Sequence, residues 1–506
     1  MTFESLLFKE INLLPEFFLG LSLVYLILHC TFLVVQKEFP LIQNSFIYLV
    51  VLVVFFAWYL LINNGLDVLD TSSFNNTIIN DYLSFASKST ILCLSFFSLL
   101  IIQQYLSDQK INHFEYILVM LFSILGLLLL CSSNDLITAY LAIELQSLSF
   151  YVLSSFKKNS TFSIESGLKY FILGAFSSSL FLLGSSILYG IAGTVNLDDF
   201  KDLFFFAFPG NIQNLSDITL NIGMVHLGLM LILVSLFFKL AIAPFHVWAP
   251  NVYEGSPTSS TLFFSVVPKI AIFVFLVRIF NYSFHGILEY WRYFIVVIIV
   301  LTIIIGSFGG LEQRKLKSLL VYSSISHMGY SLIAFSTGTL EGLQFLFCYL
   351  FIYSFSGLCI WSVFIFVRLK NNYPNKQNKD LSDLVLLSKS NGMIAIFFST
   401  ILLSLAGFPP MIGFLVKLGI FLTAIESSMY FVAFISILCS VVATFYYIRI
   451  IKILFFEKVL VGNLYYPINT QKASIIVMLF YFVLFLFCNP TLLFLFSYKL
   501  SLLSSI

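Results

Sequence analysis

The sequence predicts an all-α, polytopic membrane protein. Its 506 residues are 60% hydrophobic and only 10% charged, and the mean hydropathy is +1.00. Soluble globular chains carry about 25% charged residues, so this chain has too few charges to cover a water-facing surface. Its apolar runs are continuous and lack inside–outside alternation, which excludes a closed β-barrel and favours helices that cross the bilayer.

About fourteen apolar runs are long enough to cross the hydrocarbon, which takes about 20 residues each. These predicted spans lie near residues 17–35, 45–62, 84–106, 114–132, 135–156, 165–190, 222–243, 258–280, 292–310, 316–337, 342–368, 392–425, 428–455 and 474–497. We expect their edges to be accurate to a few residues.

Lysine and arginine are concentrated in alternate loops, which orients the spans. The rich loops join spans one and two, three and four, five and six, nine and ten, eleven and twelve, and thirteen and fourteen. The opposite side carries few basic residues: Lys9, Lys88, Lys201, Arg278, Arg292 and Lys499. By the positive-inside rule the rich side is the matrix or cytoplasm, so both termini are expected on the outer side.

Four charged residues are predicted inside apolar spans: Lys239, Lys269, Lys417 and Glu144. A charge at the centre of a membrane helix costs about 2.5–3.5 kcal/mol on insertion scales, so four are not expected without a role. We expect each of them to face the protein interior, to be hydrated or to be paired. A lysine with a movable carboxylate partner is a proton site whose affinity can be switched. Glu144 is the natural partner of Lys239, although a static buried ion pair, or a snorkelling Lys269, would also fit.

Prolines interrupt two spans beside these lysines. Pro244 follows Lys239 in "LFFKLAIAPFHVWAPN", and Pro409 and Pro410 precede Lys417 in "LAGFPPMIGFLVK". Each break frees backbone carbonyls at membrane depth, which only buried protein or water can satisfy.

The two breaks lie five spans apart, an odd number, so the corresponding helices run in opposite directions. This spacing predicts two inverted five-helix repeats. We therefore expect N-terminal helices one to three in 1–112, a first repeat in 113–281, an inverted second repeat in 282–456 and a final helix in 457–506. Two unrelated proline kinks are the alternative.

Histidine can relay protons near neutral pH. His327 lies in "LLVYSSISHMGYSL", where Ser323, Ser324, Ser326 and Tyr330 could support a chain of waters. His246, just past the first break, is a secondary candidate. A packing role for either histidine is equally compatible with the sequence.

No other catalytic pattern is present in the sequence. It contains no P-loop, dinucleotide-binding glycine fingerprint or Ser–His–Asp set, and its seven cysteines form no CxxC pair. The net charge of +2 and the lack of a basic block give no indication of nucleic-acid binding. We expect no metal, flavin or nicotinamide site, so a partner or an ion gradient must drive the proton sites.

Three motifs carry a family resemblance. "FFKLAIAPFHVWAPNVYEGSPT", "LLVYSSISHMGY" and "LAGFPPMIGFLVK" closely resemble the antiporter-like subunits of respiratory NADH:ubiquinone oxidoreductase, complex I. "FSTGTLEGLQ" is more similar to the mitochondrial form of plants and protists than to the plastid form. The resemblance covers most of the chain.

The resemblance implies a fourteen-helix, proton-translocating subunit of the membrane arm in the mitochondrial inner membrane. The family's functional glutamate corresponds to Glu144, its lysines to Lys239, Lys269 and Lys417, and a histidine of its hydrophilic axis to His327. Redox cofactors would be bound by other subunits, and the expected partners are neighbouring antiporter-like subunits and lipids. A cation/proton antiporter subunit of the same ancestry and a structural membrane scaffold are the alternatives.

Overall fold

The computed structural model describes residues 13–33, 40–65, 71–109, 113–207, 222–367, 380–385, 387–457, 465, 468 and 470–505. Nineteen α-helices make up nearly all of this part, which confirms the all-α class. A short antiparallel hairpin, β1 (Thr71–Ser73) with β2 (Ile78–Asn80), pairs Ser72 with Ile79.

The first half of the chain contains ten helices. They are α1 (Leu14–Leu33), α2 (Pro40–Gly65), α3 (Tyr82–Asp108), α4 (Glu115–Ser132), α5 (Leu136–Ser155), α6 (Thr161–Ala192), α7 (Leu197–Ala207), α8 (Ile222–Leu240), α9 (Trp248–Gly255) and α10 (Thr258–Leu276). A π-helical segment, Val277–Ser283, extends α10.

The second half contains nine helices. They are α11 (Leu288–Leu311), α12 (Leu316–Ser336), α13 (Leu340–Phe366), α14 (Leu387–Ser390), α15 (Gly392–Ala406), α16 (Ile412–Glu426), α17 (Tyr430–Phe455), α18 (Thr470–Cys488) and α19 (Pro490–Ser505). Short 3₁₀ turns occupy His285–Ile287 and Leu381–Leu384.

Twelve helices in the described part are long and apolar enough to cross a membrane. The two remaining predicted spans are also helical, but they are too polar or too short to meet that description. Span ten is α12, which carries the serines, histidine and tyrosines of its motif, and span twelve is the broken pair α15 and α16. Both predicted breaks are therefore observed, whereas the assignment of the helices to inverted repeats stays a prediction.

The predicted span at 474–497 was wrong in one respect. Helix α18 ends at Cys488 and a separate helix, α19, begins at Pro490, a residue that suits the first turn of a helix. Helix α19 packs against α13, where the side-chain amide of Gln344 donates to the Phe494 carbonyl at 3.3 Å. The last span is thus shorter than its apolar run.

Helix α10 lies at the centre of the bundle. Every residue from Thr258 to Leu276 is buried, and the helix packs against α3, α4 and α13. Helix α13 is nearly as buried, whereas α1, α6 and α18 expose large apolar side chains on their outer faces. Polar groups on α10 and α13 are therefore enclosed by protein.

A partly buried ion pair joins the end of α10 to the start of α3, on the side that the charge pattern assigns as outer. Arg278 donates to both carboxylate oxygens of Asp81 at 2.8 and 2.9 Å. Burial would raise the pKa of Asp81, but Arg278 and the main-chain N–H of Ser84 outweigh burial and hold that pKa below its usual value. The pair fixes the central helix against the N-terminal helices.

Candidate functional site

The first helix break lies between α8 and α9. Helix α8 ends at Leu240, directly after Lys239, and residues 241–247 form turns around Pro244 before α9 starts at Trp248. The indole N–H of Trp248 donates to the Phe238 carbonyl at 2.9 Å. This side chain therefore satisfies one of the carbonyls at the end of α8.

Lys239 contacts a tyrosine and not a carboxylate. Its Nζ donates to the Tyr151 hydroxyl at 3.4 Å, and one turn earlier on α5 the Ser147 hydroxyl donates to Glu144 at 3.3 Å. Among the described residues, no ion pair within 4.0 Å joins Glu144 to Lys239. The two groups are within electrostatic range, so their partnership is indirect in this structure.

Glu144 lies at the outer surface of the helix bundle and not deep in its interior. It is half-buried and borders an exposed apolar face of α5 formed by Ile137, Leu141, Leu148 and Val152. Lys239 is also only partly buried. We call Glu144, Ser147, Tyr151 and Lys239 the first-break cluster.

Lys269 points into the protein. It is 4% exposed, and its Nζ donates to the hydroxyl of Tyr353, on α13, at 2.8 Å. The same amine lies 4.7 Å from the centroid of that ring. A snorkelling lysine would reach the membrane surface, so that interpretation does not apply.

His327 lies between two tyrosines from neighbouring helices. Its Nδ1 is 2.5 Å from the Tyr349 hydroxyl on α13, and its Nε2 is 2.9 Å from the Tyr447 hydroxyl on α17. Each nitrogen can donate or accept, depending on the tautomer. The imidazole is 2% exposed, so these hydroxyls satisfy a fully enclosed ring.

The serines beside His327 bond within their own helix, and their role in a chain of waters stays a prediction. The hydroxyls of Ser323, Ser324 and Ser326 donate to carbonyls one turn earlier in their own helix. The hydroxyls in contact with the imidazole come from tyrosines that are distant in sequence.

The second helix break binds its lysine directly. Helix α15 ends at Ala406, Gly407 adopts a φ of +86°, and α16 starts at Ile412 after Pro409 and Pro410. Lys417, which is 5% exposed, donates from Nζ to the Leu405 carbonyl at 2.6 Å and to the Ala406 carbonyl at 3.1 Å. The ammonium thus lies at the negative end of the α15 dipole.

Helix α13 connects these buried groups. Tyr349 and Tyr353 are one turn apart on one face, so the partner of His327 lies next to the partner of Lys269. The rings of His327 and Tyr353 are 5.4 Å apart. His327 is also within electrostatic range of both Lys269 and Lys417. We call Lys269, Tyr353, Tyr349, His327 and Tyr447 the central cluster.

Aromatic rings separate the first-break cluster from the central cluster. Tyr151 packs edge-on against Tyr170 at 4.9 Å, and Tyr170 stacks on Trp248 at 4.5 Å. No hydrogen bond between described residues joins the two clusters. His246 belongs to neither cluster; its Nδ1 is buried without a partner among the described residues.

Sequence reasoning missed two features. The first is the set of tyrosines on α5, α13 and α17, which carried no signal because tyrosine is common in this chain. The second is Lys88, which was assigned to the outer side but is 1% exposed in α3 and pairs with Glu16 of α1 at 2.6 Å. Lys88 lies six residues after Tyr82, where α3 begins, so it is enclosed near one end of the helix, and its assignment to the outer side stays a prediction. Glu16 is thus a second acid within an apolar helix, beside Glu144.

The described residues contain no group of three or more His, Cys, Asp or Glu side chains arranged to hold a metal ion. What they provide is a set of proton donors and acceptors: amines, an imidazole, a carboxylate and tyrosine hydroxyls. All of them can gain or lose a proton, or pass one along a hydrogen bond.

Comparisons with known proteins agree with this arrangement. Residues 133–443 match the family described as "NADH:quinone oxidoreductase/Mrp antiporter, TM". NADH-quinone oxidoreductase subunit N of Pelagibacter ubique is 40% identical over 88% of this chain and 89% of its own. NADH-ubiquinone oxidoreductase chain 2 of Marchantia polymorpha is 38% identical over 85% of each chain.

Solved structures show the same fold. A chain of respiratory complex I from Thermus thermophilus superposes with a TM-score of 0.75 at 26% identity, covering 95% of this chain and 98% of its own. A chain of the Mrp complex from Dietzia superposes with a TM-score of 0.81 at 18% identity, covering 99% and 98%. The chain belongs to the NADH:quinone oxidoreductase/Mrp antiporter transmembrane family.

Proposed function

We propose that this chain is a proton-translocating membrane-arm subunit of a respiratory NADH:quinone oxidoreductase. The observation that carries the proposal is the row of buried amines and imidazole, Lys269, His327 and Lys417, with tyrosine hydroxyls between them. Charged groups inside a membrane bundle are costly and mark ion or proton pathways. The relatives named chain 2 and subunit N support the assignment to this assembly.

Protons enter from the positive-rich side and load the sites around Lys239, Lys269 and His327. Movement of Glu144 towards or away from Lys239 changes how strongly that amine holds its proton, because an opposite charge favours the ammonium form. Tyr353 and Tyr349 are placed to pass a proton between Lys269 and His327. Release proceeds past Lys417 at the second break.

Water completes this route where the side chains stop. The Tyr330 hydroxyl and Glu144 Oε1 are buried without a hydrogen-bond partner among the described residues. Tyr330 also places its ring 5.1 Å from the Lys417 ammonium. Buried polar atoms are nearly always hydrogen-bonded, so these positions suit waters that carry protons onward.

Redox chemistry belongs to other subunits in this proposal, and the chain binds no redox cofactor itself. Its partners are neighbouring membrane-arm subunits, including other antiporter-like ones. The plant relatives favour the mitochondrial inner membrane, with both termini on the intermembrane-space side by the positive-inside rule.

A cation/proton antiporter is the second candidate, favoured by the fold likeness to the Mrp complex. The two functions differ in what drives proton movement. In the first, quinone reduction drives it without a sodium or potassium gradient; in the second, a cation gradient drives it in the absence of NADH.

The test uses the intact assembly, reconstituted in vesicles, with Lys269→Met. We expect the rate of NADH-driven proton uptake to fall about tenfold, a barrier change of ~1.4 kcal/mol, because the variant has no proton to pass to Tyr353. The control is Lys452→Gln, which changes an exposed lysine on α17 that belongs to neither cluster. Normal proton uptake by Lys269→Met in a fully assembled complex would contradict the proposal. Proton flux driven by a sodium gradient without NADH would favour the antiporter.

A further inference from the structure

A charged cavity lies on the positive-rich side, away from both clusters of the proton route. Its volume is about 410 Å³. Its charged lining comes from α6, from the loops before α6 and α12, from α9 and from the start of α12. The lining includes four lysines and two glutamates, giving a net charge of +2: Lys157, Lys169, Lys315, Lys317, Glu165 and Glu254.

Two of these lysines pair with the two glutamates at the rim. Lys169 pairs with Glu165 at 2.6 Å, and Lys315 pairs with Glu254; all four side chains are 44–59% exposed. The other two lysines donate to neutral groups beside the cavity. Lys157 donates to the side chain of Gln109 at 3.2 Å, and Lys317 donates to the Ser256 carbonyl at 3.0 Å. The lining as a whole thus carries a net positive charge.

Three helices begin at this cavity. The N-caps of α6, α10 and α12 are Ser160, Pro257 and Lys315; all three line the cavity, and none makes a side-chain capping hydrogen bond. Helix N-termini carry partial positive charge and main-chain N–H groups, which favour phosphate. Their convergence adds to the field of the lysines.

The floor contains a polar atom without a partner. Ser256 is 2% exposed and lines the cavity, and its Oγ is buried with no hydrogen-bond partner among the described residues. Buried hydroxyls are almost always satisfied, so this one indicates that a ligand with an acceptor or donor occupies the cavity.

An apolar face leads from the cavity into the membrane. Helix α6 spans 32 residues, and only 33% of its most apolar window is buried. Its exposed side chains form a stripe at helical spacing that starts at the cavity: Phe162, Leu168, Phe171, Ile172 and Phe176. Phe162 lines both the cavity and this stripe.

We propose that this cavity binds the phosphate headgroup of an anionic phospholipid, whose acyl chain lies along the exposed face of α6. Positive charge, three helix N-termini and the Ser256 hydroxyl suit a phosphodiester, and the apolar stripe suits the chain attached to it. Basic pockets between membrane helices on this side of a bilayer commonly bind such headgroups. A soluble phosphate would use the same polar groups but not the stripe.

The test uses the intact, delipidated assembly and electron cryo-microscopy in three arms: phosphatidylglycerol vesicles, phosphatidylcholine vesicles, and inorganic phosphate in detergent. We expect headgroup density between Lys157, Lys317 and Ser256, with chain density along α6, strongest with phosphatidylglycerol. Equal density with inorganic phosphate alone would overturn the lipid source. An acidic side chain of a neighbouring subunit in the cavity would overturn the lipid as occupant.

Variants test which groups bind. Lys157→Gln with Lys317→Gln should weaken phosphatidylglycerol binding at least tenfold, because each lysine near an anionic lipid contributes about fivefold. Lys157→Arg with Lys317→Arg should restore it, which separates charge from folding. Ser256→Ala removes no hydrogen bond between described side chains, so weaker lipid binding with an unchanged lipid-free melting temperature would support the site. The matched control is Lys389→Gln with Lys452→Gln, two exposed lysines outside the cavity; equal weakening by the control would contradict the proposal.

Discussion

The two helix breaks provide hydrogen-bond donors for their backbone carbonyls in different ways. At the first break, the indole of Trp248 satisfies a carbonyl at the end of α8, and Lys239 reaches away to Tyr151. At the second break, Lys417 itself binds the last two carbonyls of α15. Among the described residues, Lys239 therefore makes no hydrogen bond with the carbonyls of its break, whereas Lys417 is the donor to the carbonyls of its own.

This difference indicates that the two lysines have different freedom. Lys239 has one long contact at 3.4 Å and is partly buried, so it can move in response to Glu144. Lys417 is held by two short contacts at 2.6 and 3.1 Å, which fix the ammonium at the end of a helix dipole. We infer that Lys239 is suited to switching and Lys417 to a fixed step in the route.

Lys417→Met gives the largest expected effect because it removes a proton site and a structural contact together. Turnover-linked proton transfer should fall at least tenfold, about 1.4 kcal/mol in barrier, and two carbonyls should lose their donor at ~1–3 kcal/mol each. The rate of NADH-driven proton uptake and the melting temperature of the purified assembly measure the two losses. Lys417→Arg keeps charge and donors and should retain most stability. Full stability in Lys417→Met would show that the carbonyl contacts are dispensable.

The sequence predicted where the two breaks lie but not how their carbonyls are satisfied. The prolines predicted both interruptions, and the charges predicted which residues mattered, because both signals are local. Which donor reaches the freed carbonyls depends on how α9 folds back on α8 and how α16 meets α15. The same holds for Tyr349 and Tyr447, which reach His327 from positions 22 and 120 residues away. The pairing of Lys88 with Glu16 was also missed, because it needs α1 and α3 to be packed together.

Lys239→Met should reduce proton transfer about as strongly as Lys417→Met but leave stability nearly unchanged. Its amine makes no hydrogen bond to a backbone carbonyl among the described residues, so no carbonyl is orphaned. Tyr151→Phe removes only the hydroxyl that Lys239 contacts and should cost less, about two- to fivefold, or ~0.4–1 kcal/mol in barrier. The same two assays, proton uptake and melting temperature, apply. A large fall in melting temperature for Lys239→Met would remove the distinction between the breaks.

Trp248→Phe tests the first break from the structural side. It keeps an aromatic ring for stacking on Tyr170 but removes the indole N–H, leaving the Phe238 carbonyl without that donor. The Ala241 main-chain N–H still donates to that carbonyl at 3.1 Å, so we expect a loss of about 0.5–1.5 kcal/mol of stability, with the rate of proton uptake within about twofold of wild type. Strongly impaired proton transfer at unchanged stability would place Trp248 in the proton route instead.

The smallest expected effects come from the backbone at each break. Gly407 has a φ of +86°, and a Cβ added there would lie 3.1 Å from Cδ of Lys417. Gly407→Ala should therefore cost about 1–2 kcal/mol from the left-handed conformation and shift the Lys417 side chain. A lower melting temperature with a moderate loss of proton transfer is the expected result.

The first break places an alanine where the backbone is also left-handed. Ala241 has a φ of +58°, so Ala241→Gly relieves about 1–2 kcal/mol of strain. It also loses a buried methyl and adds freedom to the unfolded chain, at ~0.8 and ~0.5–1 kcal/mol. These contributions nearly cancel, so the melting temperature and the proton uptake should both stay close to wild type. If Ala241→Gly impaired proton transfer as much as Gly407→Ala, the backbone of the first break would be coupled to Lys239, and the freedom assigned to that lysine would be wrong.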